Sequence, residues 1–249
     1  LMSRGYRNML MITNYDSEAE QKCISLVQQN KVDGIIGLTY SSNLTVDASV
    51  PFVSIDRHFD PPVPCVSSDN YRGGQMAAEK LLELGCRKLL FLRMGSDVYG
   101  EVNKREAGFE SVCREQGIDY DSLILNESGP EEPFYDYLRE HLREGRLAFD
   151  GIFCNSDHLA AHIRAFLNQE GVRVPEDVQL VGYDGIPDHY SGYYHCSTIV
   201  QPVREMAEAC VELILTGDRT NLPRLVLLPV HYVPGGTTKE DCPERTLYQ

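Results

Sequence analysis

The chain has 249 residues, which at roughly 100–200 residues per domain corresponds to one large domain or two small ones. Its 23 lysines and arginines stand against 37 aspartates and glutamates, so the formal charge at pH 7 is −14. This acidic balance argues against direct binding to DNA or to an anionic membrane, because affinity for phosphates comes from lysine and arginine.

Short apolar runs alternate with amphipathic stretches along the whole sequence. The apolar runs predict β-strands at residues 8–13, 33–38, 51–55, 65–67, 88–92, 123–125, 149–154, 178–182 and 225–233. The amphipathic stretches predict helices after residue 17, after residue 69, at 101–116, at 131–144, at 157–170 and from residue 202. This alternation predicts an α/β fold, with helices on both faces of a parallel sheet.

Local signals mark the expected helix ends. Ser17 and Glu20 have the spacing of a capping box, and Asp69 is an expected N-cap. Pro202 is expected at a first helical position, where its missing N–H does no harm. Four helices are expected to end at a glycine that adopts the left-handed conformation, namely Gly85, Gly117, Gly145 and Gly171.

Eight cysteines are spread along the chain without any close pair. Zinc ribbons and disulfide scaffolds need tighter spacings than these. Most of the cysteines lie in apolar stretches, so we expect reduced and buried thiols. Reduced thiols in this number predict a cytoplasmic protein. No apolar run approaches the roughly 20 residues that a membrane-spanning helix needs, so no membrane association is expected.

The motifs of common enzymes are missing from the sequence. It has no nucleophile elbow, zinc-protease helix, dinucleotide-binding glycines or phosphate-binding loop. We therefore predict neither catalysis nor a cofactor. His158 and His162 stand one helical turn apart beside Asp157, which is a spacing that can hold a metal. No third ligand stands at a recognisable spacing, so an exposed helical face is favoured and no metal site is predicted.

Polar residues follow several predicted strands, at the edge where open parallel sheets bind ligands. They include Asp56, Arg57, Arg93, Asn155, Ser156, Asp157, Tyr183 and Asp184, with Arg105 at a helix start. Carboxylates that accept hydrogen bonds and guanidinium groups that donate them suit a polyol such as a sugar. Other interpretations stay open: Asp157 as a helix cap, Arg105 as a surface arginine and Asp184 as a turn residue.

Eight segments in order resemble one known family. They are VDGIIGL (32–38), PFVSIDR (51–57), SSDNYRGGQMAAEKLLELG (67–85), KREAGF (104–109), FDGIFCNSD (149–157), GVRVPEDVQLVGYD (171–184), STIVQP (197–202) and LLPVHYVPGGTT (227–238). Over essentially the whole chain, they resemble the effector-binding core of the lactose/galactose-repressor family of bacterial transcription regulators.

The resemblance implies the fold of type I periplasmic sugar-binding proteins, in which three crossover strands join two doubly wound α/β subdomains and the ligand lies between them. The N-terminal subdomain would span 1–92 plus 201–229, and the C-terminal subdomain 95–198 plus 231–249. The crossovers would fall near 92–95, 199–201 and 230–233. It further implies that the first strand, most of the first helix and the DNA-binding helix-turn-helix head lie outside this chain.

The same resemblance implies which residues bind the effector. Six positions are carried over: Arg105, Asp184, Ser156, Asp157, Arg57 and Arg72. Arg105 would grip the ligand, Asp184 would accept hydrogen bonds from its hydroxyls, and Asp157 would brace the site. Gly185 stands where relatives usually carry a second aspartate, so one polar anchor of the family is absent.

The implied function is effector sensing. A sugar or a related small polar metabolite would shift the equilibrium between closed and open forms of a homodimer, and operator DNA would be bound through the absent head. Two alternatives stay open. One is a periplasmic solute-binding protein of a sugar transporter, against which the unpatterned cysteines argue. The other is an enzyme on a doubly wound fold, although the sequence contains no catalytic or cofactor-binding motif that supports it.

Overall fold

The computed structural model describes residues 5–14, 16–29, 32–39, 41, 44–45, 50–59, 62–95, 100–126, 129–187, 194–216 and 221–240. The helices within these ranges are α1 (Ser17–Gln29), α2 (Asn70–Glu83), α3 (Lys104–Gln116), α4 (Glu132–Glu140), α5 (Asp157–Gln169) and α6 (Val203–Leu215). The strands are β1 (Ile35–Gly37), β2 (Phe52–Ile55), β3 (Cys65–Ser68), β4 (Lys88–Gly95), β5 (Asp119–Asn126), β6 (Leu142–Arg143), β7 (Arg146–Leu147), β8 (Gly151–Cys154), β9 (Gln179–Asp184), β10 (Ser197–Val200), β11 (Leu225–Leu228) and β12 (His231–Val233).

The chain forms two compact units. Unit 1 comprises Leu1–Ser68, Val98–Val102 and Pro202–Leu228. Unit 2 comprises Asp69–Asp97, Asn103–Gln201 and Pro229–Gln249. Unit 1 contains a parallel sheet in the order β1-β2-β3-β11, and α6 packs against it. Val53, Val66, Met206, Cys210 and Leu213 form its buried core.

Unit 2 is built on a six-stranded sheet in the order β12-β10-β9-β8-β4-β5. All of its neighbouring strands are parallel except β12, which is antiparallel to β10. Successive residues of β8 enter different cores: Ile152 packs with α4 and α5, and Phe153 packs with α2 and α3. The sheet is therefore covered on both faces, and the predicted α/β class with parallel sheets is confirmed.

The chain passes between the two units after Ser68, Asp97, Val102, Gln201 and Leu228, so α2 belongs to unit 2. The reason is the packing of α2, whose Ala77 and Leu81 lie in one buried cluster with Phe109 of α3. This packing places α2 in unit 2. The subdomain bounds that the resemblance implied, 1–92 plus 201–229 and 95–198 plus 231–249, stay a prediction.

Three predicted elements differ in the structure. Residues 8–13 form no strand, and Leu10 is 84% exposed, because no strand within the described ranges pairs with them. The helix predicted at 131–144 stops at Glu140, and the hairpin of β6 and β7 turns at Glu144 and Gly145, both at positive φ. The strand predicted at 225–233 divides at Pro229 into β11 of unit 1 and β12 of unit 2.

The helix caps follow the predictions in part. Asp69 accepts a hydrogen bond from the backbone N–H of Arg72, as expected of an N-cap. The cap of α1 is Asp16, one residue before Ser17, and Pro202 occupies the N-cap position of α6 instead of its first turn. Left-handed conformations end the helices at Gly85, Gly117 and Gly171.

Among the described helices, none is long and apolar enough to cross a membrane.

Candidate functional site

The carboxyl edge of the unit 2 sheet gathers polar residues from neighbouring strands. Asn155 directly follows β8, Asp184 ends β9, and Gln201 follows β10. Because β8, β9 and β10 are parallel neighbours, their carboxyl ends meet at one edge. This is the edge at which open α/β sheets bind ligands.

Arg105, the second residue of α3, is the centre of this group and is 4% exposed. Its Nε donates to Asn70 Oδ1 at 2.7 Å, and its Nη1 donates to the Asn155 carbonyl at 2.5 Å. Nη1 also lies 3.5 Å from Asp184 Oδ1. Within the described part of the chain, Nη2 makes no hydrogen bond. The guanidinium is therefore held in one orientation, with one nitrogen left for a ligand.

The ring of Tyr183 fixes the other side of the arginine. The guanidinium carbon of Arg105 lies 3.6 Å from the centre of this ring, which is fully buried. The ring has space there because residue 73 is glycine, where a Cβ would lie 2.6 Å from the ring. Gly74 likewise allows the backbone of α3 to approach α2, because a Cβ at residue 74 would lie 1.9 Å from the Arg105 carbonyl oxygen. The glycine pair of α2 thus permits the approach that places Arg105.

Asp184 presents its carboxylate beside the arginine. Its Oδ1 accepts from Gln201 Nε2 at 2.8 Å, and about a quarter of its side chain is exposed. Its φ of 112° lies in a region that side-chain-bearing residues rarely adopt, and Gly185 follows at 73°. Backbone strain of this kind, of order 1–3 kcal/mol, persists where the surroundings hold it and concentrates at binding sites. At residue 185 a Cβ would lie 2.7 Å from Val200, so this backbone excludes a second aspartate.

Asp157 and Ser156 support the site from the start of α5. Ser156 is the N-cap, and its Oγ accepts from the backbone N–H of Leu159. Asp157 is buried, with Oδ1 accepting from the Thr198 hydroxyl at 2.6 Å and Oδ2 from the backbone N–H of Ile186 at 2.7 Å. Burial raises the pKa of Asp157 above its ordinary value, although these hydrogen bonds act in the opposite direction. These contacts agree with a bracing role for Asp157, and the helix cap that was left open for it is Ser156.

The two remaining candidate arginines lie elsewhere. Arg57 belongs to unit 1, is buried, and donates from Nε to the Thr39 carbonyl at 3.2 Å. Its contact with a ligand stays a prediction. The Arg72 guanidinium is exposed and pairs with Glu79 at 2.7 Å, seven residues further along α2. The structure therefore does not bring the Arg72 guanidinium to the Arg105 group, because Arg72 extends along α2 to pair with Glu79.

Three members of the site were missed by sequence reasoning as ligand candidates: Asn70, Tyr183 as a ring partner, and Gln201. The positions of Tyr183 and Gln201 follow from the strand order β10-β9-β8, and that of Asn70 follows from the packing of α2 on α3. One local signal was present, since two adjacent glycines inside a helix cost stability and indicate a close approach. Together the residues offer a fixed cation, a carboxylate and amides, which is a donor and acceptor set for hydroxyl groups.

Comparison with known proteins supports the same fold over most of the chain. The family described as periplasmic binding protein-like domain matches residues 78–238. The sucrose operon repressor of Streptococcus mutans is 29% identical over 240 residues, covering 94% of this chain and 72% of that protein. The ribose operon repressor of Halalkalibacterium halodurans is 30% identical over 214 residues, covering 85% of this chain and 63% of that protein.

A solved structure extends this likeness to three dimensions. The periplasmic binding protein/LacI transcriptional regulator from Alkaliphilus metalliredigens, complexed with D-xylulofuranose, is 26% identical with a TM-score of 0.77. The alignment covers 96% of this chain and 90% of that one. The ribose operon repressor protein from Lactobacillus acidophilus is 25% identical with a TM-score of 0.74, over 96% of this chain and 89% of that one.

Proposed function

We propose a function from the premise that the chain belongs to the periplasmic binding protein-like domain family, in the form found in lactose/galactose-type repressors. It is the effector-sensing domain of a bacterial transcription regulator, and its effector is a sugar or a related small polar metabolite. The curated relatives reported above are operon repressors, so a solute-binding protein of a transporter is not favoured.

One observation carries the proposal, and it is the buried pairing of Arg105 with Asp184. Arg105 is 4% exposed, so its buried guanidinium gains from a partner that accepts hydrogen bonds. The distance of 3.5 Å between Arg105 Nη1 and Asp184 Oδ1 is longer than a good direct hydrogen bond. A ligand hydroxyl placed beside both residues would accept from Nη2 and donate to the carboxylate. Sugar hydroxyls have this dual character, which a purely acidic or purely basic ligand lacks.

The sugar class is supported by the relatives. Their names refer to the sucrose and ribose operons, and the solved neighbour is a complex with a pentulose in its furanose form. Gly185 removes one acceptor that the resemblance implies for many relatives. We therefore expect a ligand that needs fewer polar anchors beside Asp184, such as a pentose or a ketose.

The proposal has further parts, most of which rest on the family. The domain acts by binding and not by catalysis, because the Arg105 group pairs no nucleophile with a base. It needs no cofactor, it works in the cytoplasm as a homodimer, and it reaches operator DNA through a separate N-terminal head. The net charge of −14 agrees with DNA binding by a separate head, since contacts with DNA phosphates need a basic surface.

The test is a binding titration with D-ribose, D-xylulose, D-fructose and sucrose, run on the wild type, Asp184→Asn and Asp136→Asn. The Asp136 carboxylate is an exposed one in the same unit and serves as the matched control. Losing a charged partner in a buried contact costs about 2–5 kcal/mol, so we expect Asp184→Asn to weaken binding by about 30-fold or more. Equal affinity in both variants would overturn the site, and turnover of a bound sugar would overturn the assignment as a sensor.

A further inference from the structure

A second polar cluster of unit 2 lies on α4 and α5 and takes no part in the site above. It consists of Glu131, His158 and His162. Each of these residues offers one ligand atom, and the three atoms lie within 4.8 Å of one another. Sequence spacing placed the two histidines together, but the third group comes from 27 residues earlier in the chain and is contributed by the turn that precedes α4.

We propose that Glu131, His158 and His162 form a binding site for a zinc ion. Two imidazole nitrogens and one carboxylate oxygen are a common zinc ligand set, and water completes the tetrahedron. Hard cations such as magnesium and calcium prefer oxygen ligands alone, so they would bind here more weakly. This inference is independent of the sugar proposal, because it uses none of the residues around Arg105.

The geometry of the cluster carries the argument. His158 and His162 stand one turn apart on α5, and their ring centres are 4.2 Å apart. His162 Nδ1 lies 2.8 Å from Glu131 Oε2, so two of the ligand atoms already face each other. Ligand atoms around a tetrahedral zinc ion are roughly 3.3 Å apart, given bonds of about 2.0–2.1 Å. Small rotations of the two exposed imidazoles would close the remaining gap.

The carboxylate is held in place by a second layer of contacts. The Tyr135 hydroxyl donates to Glu131 Oε2 at 2.7 Å, and the Tyr135 ring stacks on Phe166 with 4.7 Å between ring centres. The carboxylate is thus held in one orientation, which is the role that neighbours of metal ligands usually have.

The alternative is that His162 and Glu131 form an ordinary surface ion pair, and a metal titration separates the two. Purified protein is treated with a chelator, dialysed, and titrated with Zn²⁺ by calorimetry and with Co²⁺ by absorption. We expect one tightly bound ion per chain, with a cobalt spectrum typical of nitrogen and oxygen ligands. His158→Ala, His162→Ala and Glu131→Gln should each weaken zinc binding about tenfold or more, a range typical of altered metal sites.

Two controls make the test decisive. His231→Ala removes another exposed histidine of unit 2 and should leave zinc affinity unchanged. Tyr135→Phe keeps all three ligands but removes the hydroxyl that orients Glu131, so it should weaken zinc binding while the melting temperature without metal changes little. The proposal is overturned if the wild type binds no zinc, if the three ligand variants bind it as the wild type does, or if the cobalt spectrum shows thiolate ligands.

Discussion

The guanidinium carbon of Arg105 lies 3.6 Å from the centre of the Tyr183 ring, and Asp184, which follows that tyrosine, lies 3.5 Å from the same guanidinium. One strand end therefore supplies both the flat surface and the acceptor for a single arginine. Stacking on an aromatic face is favourable for a planar cation, and a lysine ammonium has neither the plane nor the fork of donors. The site depends on the shape of arginine and not on its charge alone.

The first prediction concerns Arg105→Lys. The variant keeps the charge but cannot donate to Asn70 and Asn155 at once and stack on Tyr183. We expect weaker effector binding, by roughly 10-fold or more, and a loss of stability of about 1–3 kcal/mol, because buried acceptors lose their donor. Calorimetric titration and denaturant unfolding measure the two effects. Arg114→Lys, on an exposed arginine of the same helix α3, is the control, and equal effects in the two variants would contradict the role assigned to Arg105.

The second prediction concerns the contact between α2 and α3. A Cβ on Gly108 would lie 2.0 Å from the Tyr71 carbonyl oxygen, which is backbone and cannot move aside alone. Helix propensity favours alanine over glycine by about 1 kcal/mol, so Gly108→Ala would stabilise an isolated helix. We expect the opposite here, a loss of about 1–3 kcal/mol from overpacking, measured as a lower denaturation midpoint.

The exposed neighbour Ala107 provides the control for this substitution. Ala107→Gly should cost about 1 kcal/mol through propensity alone. A Gly108→Ala variant that is as stable as the wild type would show that the two helices can separate at no cost. The close approach would then not be required for the placement of Arg105.

Local sequence was sufficient to predict much of this molecule. The caps at Asp69 and Gly117, the parallel sheets and the placement of Arg105 and Asp184 at the carboxyl edge follow from short-range patterns. The partners of Arg105 do not, because Asn70 and Asn155 are brought to it by the strand order and by the packing of α2 on α3. The membership of α2 in unit 2 could not be predicted for the same reason, since nothing within the α2 sequence shows which sheet it covers.

The exposed run at 8–13 illustrates a different limit. Its apolar residues have the composition of a buried strand, and Met9 and Leu10 are 70% and 84% exposed. A strand needs a neighbour to satisfy its backbone groups, and sequence composition does not supply one. The predicted helix at 131–144 failed for a local reason, because Glu144 and Gly145 can adopt the positive φ angles of a hairpin turn.

The third prediction concerns the thiols. The six buried cysteines are Cys65, Cys86, Cys113, Cys154, Cys196 and Cys210, while Cys23 is partly exposed. Burial raises the pKa of Cys65 to about 11 and that of Cys86 to about 12, so the reactive thiolate is scarce. Iodoacetamide at neutral pH should modify Cys23 first, as read by peptide mass spectrometry. Cys242 lies outside the described residues.

Denaturant is the control for the thiol experiment. In the unfolded chain all eight cysteines should react at similar rates, because burial no longer suppresses the thiolate. Rapid modification of Cys154 or Cys196 in the native protein would contradict their packing beneath the carboxyl edge of the sheet. It would also contradict the expectation, based on buried and reduced thiols, that the protein resides in a reducing compartment.

The fourth prediction concerns the pH dependence that Asp157 gives to folding. Burial raises the pKa of this carboxyl in the folded chain above its unfolded value, so the native state binds the proton more tightly. The resulting stabilisation is fully present below the unfolded pKa of about 3.9 and is lost as the pH rises through the folded pKa. Measured by denaturant unfolding, the wild type should therefore lose stability relative to Asp157→Asn as the pH increases above about 4.

The comparison with asparagine isolates this effect, because other titrating groups contribute equally to both proteins and cancel in the difference. Asp157→Asn also places an amide where Oδ2 accepts from the backbone N–H of Ile186 or where Oδ1 accepts from Thr198, which costs stability at every pH. Only the slope with pH therefore reports the carboxyl, and Asp136→Asn corrects for the loss of one surface charge. A difference that stays constant with pH would mean that the hydrogen bonds to Asp157 balance its burial. A difference that grows in favour of the wild type as pH rises would mean that they outweigh it. The brace would then be a stabilised carboxylate, and its strength would increase toward neutral pH.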